Sequence, residues 1–200
     1  MRCPSCLNPI EESVDACPQC HFSILGLDKR FGTVPRINRY ITDLSSLFTE
    51  RQERHLKQQI VRMERSFIGL HLAIVTMDVH RRFKPREYLF WLTNRCRFCP
   101  IDSREERSLF IVLFFDTASR TALLTTGYGL HATCSEEHLQ SALATGLPEF
   151  KKNRIYHGSV AVFKAVAGLL KSQLRLQKSS ATNPQPVRAM ATSTEIEETT

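Results

Sequence analysis

Four cysteines open the chain in two knuckles, Cys3-Pro4-Ser5-Cys6 and, after ten residues, Cys17-Pro18-Gln19-Cys20. Thiolates two residues apart grip a metal from a single turn, and two such turns close a tetrahedral four-sulfur shell around one zinc ion. The competing reading is unliganded or redox-active thiols. The ten-residue gap is short for a zinc ribbon, yet it leaves room for a small hairpin. So short a segment buries almost no apolar core, and its metal would supply the folding free energy. His21 is a fifth candidate ligand, but four cysteines already complete the shell and leave it a surface residue.

Three further cysteines, Cys96, Cys99 and Cys134, bring the total to seven. An odd number, in a chain whose first residues Met-Arg-Cys-Pro are not those of a signal peptide, argues for reduced thiols over a disulfide framework. Their neighbourhood is set by residues 107–130. Leu109 to Phe115 is an apolar, β-branched and aromatic run of strand length, as expected of a strand buried on both faces. Asp116-Thr117-Ala118-Ser119 supplies a turn, Thr121 to Thr126 returns, and Gly127-Tyr128-Gly129 breaks the second strand where positive φ is expected. In such a hairpin the chain entering the first strand lies beside the chain leaving the second. Cys96-x-x-Cys99 therefore meets His131-x-x-Cys134 at one end of the sheet. Three thiolates and an imidazole form a closed zinc set, which predicts a second structural zinc at Cys96, Cys99, His131 and Cys134. The alternative is three free thiols and a surface histidine, with His138 a rival ligand.

The elements around this hairpin follow from pattern. Tyr40 to Asp43 reads as a short edge strand or a turn entering the main domain. Thr49-Glu50-Arg51-Gln52 has capping-box spacing, and Leu56, Ile60, Met63 and Phe67 recur at helical intervals, predicting an amphipathic helix that ends near Gly69. Its other face carries Arg51, Arg54, Lys57, Arg62 and Arg65, a solvated face whose alternative role is to hold an anionic partner. Leu70 to Val79 reads as a buried strand. Pro85 opens a helix through Tyr88, Leu89, Trp91 and Leu92 to about Asn94. Ser135-Glu136-Glu137 starts another that runs to about Thr145, Pro148 interrupts it, and His157 to Leu176 forms the last. The expected class is α/β: a small mixed sheet flanked by helices on both faces, an α/β/α sandwich, behind an N-terminal zinc ribbon. The expected units are residues 1–27 (ribbon), 28–37 (linker), 38–176 (main domain) and 177–200, where the Ser, Thr, Pro and Glu content predicts a disordered tail.

Two hundred residues, 42% of them hydrophobic, suffice for one cored domain plus a small appendage. No run approaches the ~20 apolar residues of a membrane span, so no membrane span is expected and the chain reads as cytoplasmic. The net charge of +7 is uneven. Residues 1–27 and 179–200 each carry one basic and three acidic groups, leaving 25 basic and 14 acidic, or +11, between them.

Two resemblances complete the reading. The knuckles resemble the short zinc ribbons at the N-termini of many bacterial proteins, with Leu7 and His21 standing where a glycine usually follows. The order helix, Gly69, apolar strand, helix, apolar strand, then Gly127-Tyr128-Gly129-Leu130 and Leu147-Pro148-Glu149-Phe150 resembles the TPM domain over about residues 38 to 176. That family includes thylakoid-lumen acid phosphatases of photosystem II repair and many membrane-anchored bacterial proteins. The resemblance implies an α/β/α sandwich, and in some members calcium binding or phosphomonoester hydrolysis. The pattern departs at His131, where the family has Glu, at Ser135-Glu136 for its Thr-Asp, and at Arg107-Ser108 for its Asn-Gly, while Asp43 and Asp116 match acidic positions. Calcium wants several converging oxygens, and too few carboxylates remain to expect it. The leading expectation is a non-catalytic zinc-binding interaction module acting through a protein partner. The first alternative is a divalent-dependent phosphatase using Asp43, Asp116 and Glu136 with Arg104 or Arg107 on the phosphate. The second is nucleic-acid binding through the basic core.

Overall fold

The computed structural model describes residues 2–11, 14–96, 98, 109–130 and 133–182, with side chains up to residue 173. Four strands form one mixed sheet in the order β1 (Ile41–Asp43), β2 (His71–Met77), β3 (Phe110–Asp116) and β4 (Thr121–Thr126). β1, β2 and β3 run parallel, and β4 pairs antiparallel to β3. β2 is buried along its whole length, as befits a central strand covered on both faces. The predicted hairpin closes where Gly127 N–H donates to Phe110 C=O at 2.9 Å.

Strand side chains alternate between two cores. Leu72, Ile74, Ile111, Leu113 and Phe115 face one way, onto α2 (Glu50–Ser66), α4 (Glu136–Ala144), α5 (Leu147–Lys151) and α6 (Ile155–Thr182). Ala73, Val75, Met77, Val112 and Phe114 face the other, onto α1 (Ile24–Phe31) and α3 (Pro85–Arg95). The expected α/β/α sandwich is thus present. Because β1-α2-β2 and β2-α3-β3 step the same way along the sheet with their helices on opposite faces, the two crossovers have opposite hands. One of them departs from the near-universal right-handed rule.

Local chemistry fixes the helices. Thr49 caps α2 in a reciprocal box, Gln52 N–H donating to Thr49 Oγ1 at 3.3 Å and Thr49 N–H to Gln52 Oε1 at 2.9 Å. Leu56 and Ile60, fully buried, seat α2 on the sheet. Pro85 occupies the first turn of α3, where the missing N–H costs nothing. In α6, Val162, Phe163, Val166 and Leu170 form the buried stripe.

Several expectations are corrected. The linker read from residue 28 starts inside α1, which Ser23 caps through Gly26 N–H and which runs on to Phe31. Positive φ falls on Gly32 and Gly69, and in the hairpin on Arg120 at 55°, not on Gly127 or Gly129. The break expected at Pro148 is itself a helix start, with the proline in the first turn of α5. The last helix continues to Thr182, six residues past its predicted end, and the rest of the expected tail lies outside the described residues.

Candidate metal centre

Each N-terminal knuckle is a self-contained turn. Cys3 N–H donates to Asn8 C=O and Leu7 N–H returns to Cys3 C=O, both at 2.9 Å. In the second, Cys17 N–H donates to Phe22 C=O at 2.9 Å and His21 N–H to Cys17 C=O at 2.8 Å. An antiparallel bridge closes each, Arg2 with Pro9 and Ala16 with Ser23. Leu7 and His21, at the glycine positions of the ribbon pattern, take φ of 65° and 57°. The turns therefore keep the left-handed geometry a glycine would supply, although each bears a side chain.

These turns aim four sulfurs at one point. The Sγ atoms of Cys3, Cys6, Cys17 and Cys20 all lie within 4.8 Å of one another, with Cys3 to Cys20 at 3.6 Å and Cys6 to Cys17 at 3.7 Å. Asn8 Nδ2 donates to Cys6 Sγ at 3.5 Å, so one of the four sulfurs has an orienting donor. Burial opposes ionisation of Cys17. The N–H groups of Gln19 and Cys20 and the neighbouring thiols of Cys20 and Cys6 outweigh it and bring Cys17 down to about 7. For Cys20 the Phe22 N–H favours the thiolate, but desolvation and then Cys6, Cys3 and Cys17 drive it up to about 12. The four cysteines can hold a metal ion; their number and softness are those of a closed site.

The cluster is tied to the sandwich through α1. Asp28 accepts from Trp91 Nε1 at 2.8 Å and from Arg95 Nε and Nη2 at 2.8 and 2.5 Å. Those donors, the Arg95 guanidinium first, hold its carboxyl below the usual carboxylate range. Arg30 pairs with the buried Glu87 at 2.6 Å, and Lys84 approaches the same carboxylate at 3.5 Å. Phe31 packs against Phe83, Tyr88 and Trp91, with ring centroids 4.9, 4.9 and 5.2 Å away. The sequence reading missed this clamp, whose partners lie far apart in the chain.

The second predicted set is only partly described. Cys96 caps the end of α3 and its thiol meets Pro35 C=O at 3.7 Å. It packs with the core on the α1 and α3 face, and Cys134 belongs to the core on the other face. Burial pushes both thiols up, Cys96 to about 11. Cys99 and His131 lie outside the described residues. His138 sits in the first turn of α4, its N–H donating to Ser135 Oγ.

The acidic candidates do not converge. Asp43 and Asp116 end β1 and β3 at the carboxyl edge of the sheet with β2 between them, roughly 10 Å apart at strand spacing. Asp43 accepts from Leu47 N–H at 3.0 Å, Phe48 N–H at 2.8 Å and the Thr76 hydroxyl. Asp116, buried, accepts from the N–H groups of Val79, Ala118 and Ser119 at 2.9, 3.1 and 3.2 Å and from the Ser119 hydroxyl. Both carboxylates are engaged in bracing loops. Glu136 pairs instead with Arg86 at 3.0 Å and Arg2 at 3.8 Å. Arg104 and Arg107 lie outside the described residues. Among the described residues, no helix is long and apolar enough to cross a membrane.

Comparison with known proteins places this architecture. A search of curated proteins finds no match. The solution NMR structure of the N-terminal domain of a protein from P. gingivalis is similar, with a TM-score of 0.52 and 21% identity over 68% of this chain and 85% of that one. The NMR structure of the BA42 protein from the psychrophilic bacterium Bizionia argentinensis is similar with a TM-score of 0.55 and 9% identity, over 65% of this chain and 86% of that one. At these identities the likeness is one of fold. The family model of the TPM domain matches residues 41–169, which spans all four strands and most of the helices that cover them, and the chain belongs to the TPM domain family.

Proposed function

We propose that this protein is a zinc-binding, non-catalytic interaction module in which a four-cysteine ribbon is mounted on a TPM domain. The observation that carries the reading is the convergence of Cys3, Cys6, Cys17 and Cys20 within 4.8 Å. Four thiolates favour zinc over harder cations and leave no open position for water or substrate. The engagement of Asp43 and Asp116 by backbone and hydroxyl donors supports the non-catalytic part, since a divalent-dependent hydrolase needs carboxylate oxygens free to converge on an ion. A reduced thiol site fits a cytoplasmic setting. Elemental analysis with native mass on protein purified without added metal tests it. The expected result is zinc bound by the ribbon and lost on Cys3→Ser with Cys20→Ser. Absence of ribbon zinc, together with phosphomonoester turnover abolished by Asp116→Ala, would replace this reading with the phosphatase.

We also propose a second zinc at Cys96, Cys99, His131 and Cys134, supported by the bond from Gly127 N–H to Phe110 C=O that pairs the open end of the hairpin. Against it stands the packing of Cys96 and Cys134 with opposite cores. Two zincs per chain, falling to one on Cys96→Ser, is the expected signature. One zinc per chain, unchanged by that substitution, would remove it.

A further inference from the structure

α2 turns Leu56 and Ile60 inward at 0% exposure, with Met63 and Phe67 packed partly buried beside them. Its outward side is different in kind. Helical residues advance by ~100° each, which gathers Arg54, Arg65, Gln58, Arg51 and Arg62 into a wedge about 80° wide opposite Leu56 and Ile60. No carboxylate falls in that wedge. Glu53 and Glu64 flank the core side, and Glu64 is already held by Arg39 at 2.9 Å and Leu72 N–H at 2.9 Å. Among the described residues, none of Arg51, Arg54, Lys57, Arg62 and Arg65 has an ion-pair partner. Arg54, Lys57, Gln58, Val61, Arg62 and Arg65 border a shallow, open depression on the helix surface. At its border Lys57 Nζ and Arg39 Cζ lie 5.5 and 4.7 Å from the Tyr40 ring.

We infer that this face of α2 binds the sugar-phosphate backbone of a nucleic acid without reading sequence. Guanidinium groups donate in a planar fork that matches phosphate oxygens, and four of the five cations are arginines. From Arg51 to Arg65 the helix advances about 21 Å, the axial length of roughly six phosphates on one strand of a duplex. A lipid surface fits less well. A helix that lies in a bilayer interface inserts an apolar face, and the apolar face of α2 is already buried in the core. Ile68, 99% exposed just beyond α2, is a single side chain. The surface is separate from the cysteine cluster, so this inference stands or falls independently of the zinc reading.

The test is fluorescence anisotropy of the full chain with labelled duplex DNA and single-stranded RNA at about 50 and 200 mM salt. The wild type is expected to bind at low salt and to weaken steeply on going to high salt. The quadruple variant Arg51→Gln, Arg54→Gln, Arg62→Gln, Arg65→Gln should lose at least about tenfold in affinity and flatten the logarithmic salt slope by about 3 to 4. Gln keeps helix propensity and the positions are exposed, and unchanged circular dichroism confirms the fold. A second variant, Lys164→Gln with Lys171→Gln on α6, removes charge elsewhere and should leave binding within about twofold. Three results would each overturn the inference: no binding by the wild type at low salt, equal loss in both variants, or tighter binding to phosphatidylserine vesicles than to nucleic acid at matched phosphate.

Discussion

Leu7 and His21 sit at φ of 65° and 57°, where a Cβ-bearing residue is strained by ~1 kcal/mol or more. Replacing both by glycine removes that strain at the expense of ~0.5–1 kcal/mol of backbone freedom per site. We expect Leu7→Gly with His21→Gly to tighten metal retention by up to about 1 kcal/mol, or fivefold in a chelator competition; weaker retention would show that the side chains help to hold the site. Gly158 presents the opposite case. A Cβ there would lie 2.0 Å from Phe150 Cε1, and Phe150 packs edge-on against Phe115 at 4.8 Å. Gly158→Ala is expected to lower stability by ~1–3 kcal/mol in chemical denaturation, and Phe150→Leu in the same chain should recover part of the loss. The knuckles were legible in the sequence because thiols at fixed spacing act within one turn. Gly158 was not, because its constraint comes from a ring on α5, an element read only as an interruption at Pro148.

α1 shows where sequence pattern stops at the scale of an element. Its residues mix charge with a following glycine and proline, and they are helical because Ser23 caps them and because α3 supplies aromatic and ionic partners. α2, α3 and the hairpin carry their own signals in a capping box, a first-turn proline and strand-length apolar runs, so pattern alone located them. The opposite hands of the two crossovers could not be read at all, since chain order and periodicity do not encode hand. The clamp on Asp28 has a pH signature. Its carboxyl is held below the usual value chiefly by Arg95, so its contribution is present above the unfolded value of roughly 4 and is lost as pH falls through the folded one. The difference in Tm between wild type and Asp28→Asn should be constant from about pH 5 to 7 and shrink below about pH 4. A difference that grows on acidification would contradict this assignment.

The molecule as a whole couples a cysteine cluster without a core of its own, able to hold a metal ion, to a domain that has two. Phe22, Ile24, Leu27 and Phe31 complete the core on the α3 face, so unfolding the cysteine cluster would loosen the cover of that face. Trp91, the only tryptophan in the chain, is buried against Phe31 and donates to Asp28. On the zinc reading, removal of the metal is therefore expected to shift Trp91 emission to longer wavelength and to lower the Tm of the domain. If emission and Tm both stay fixed under chelation, the two parts are energetically independent.

The clamp also imposes an order on synthesis. Arg95 follows Asp28 by 67 residues, so at roughly 5–20 residues per second the ribosome delivers the receiving helix about 3 to 13 s after the acceptor carboxylate. During that interval the four thiols have no domain to lean on. On the zinc reading, early capture of the ion both folds the nascent N-terminus and guards its sulfurs from oxidation until the rest of the chain arrives.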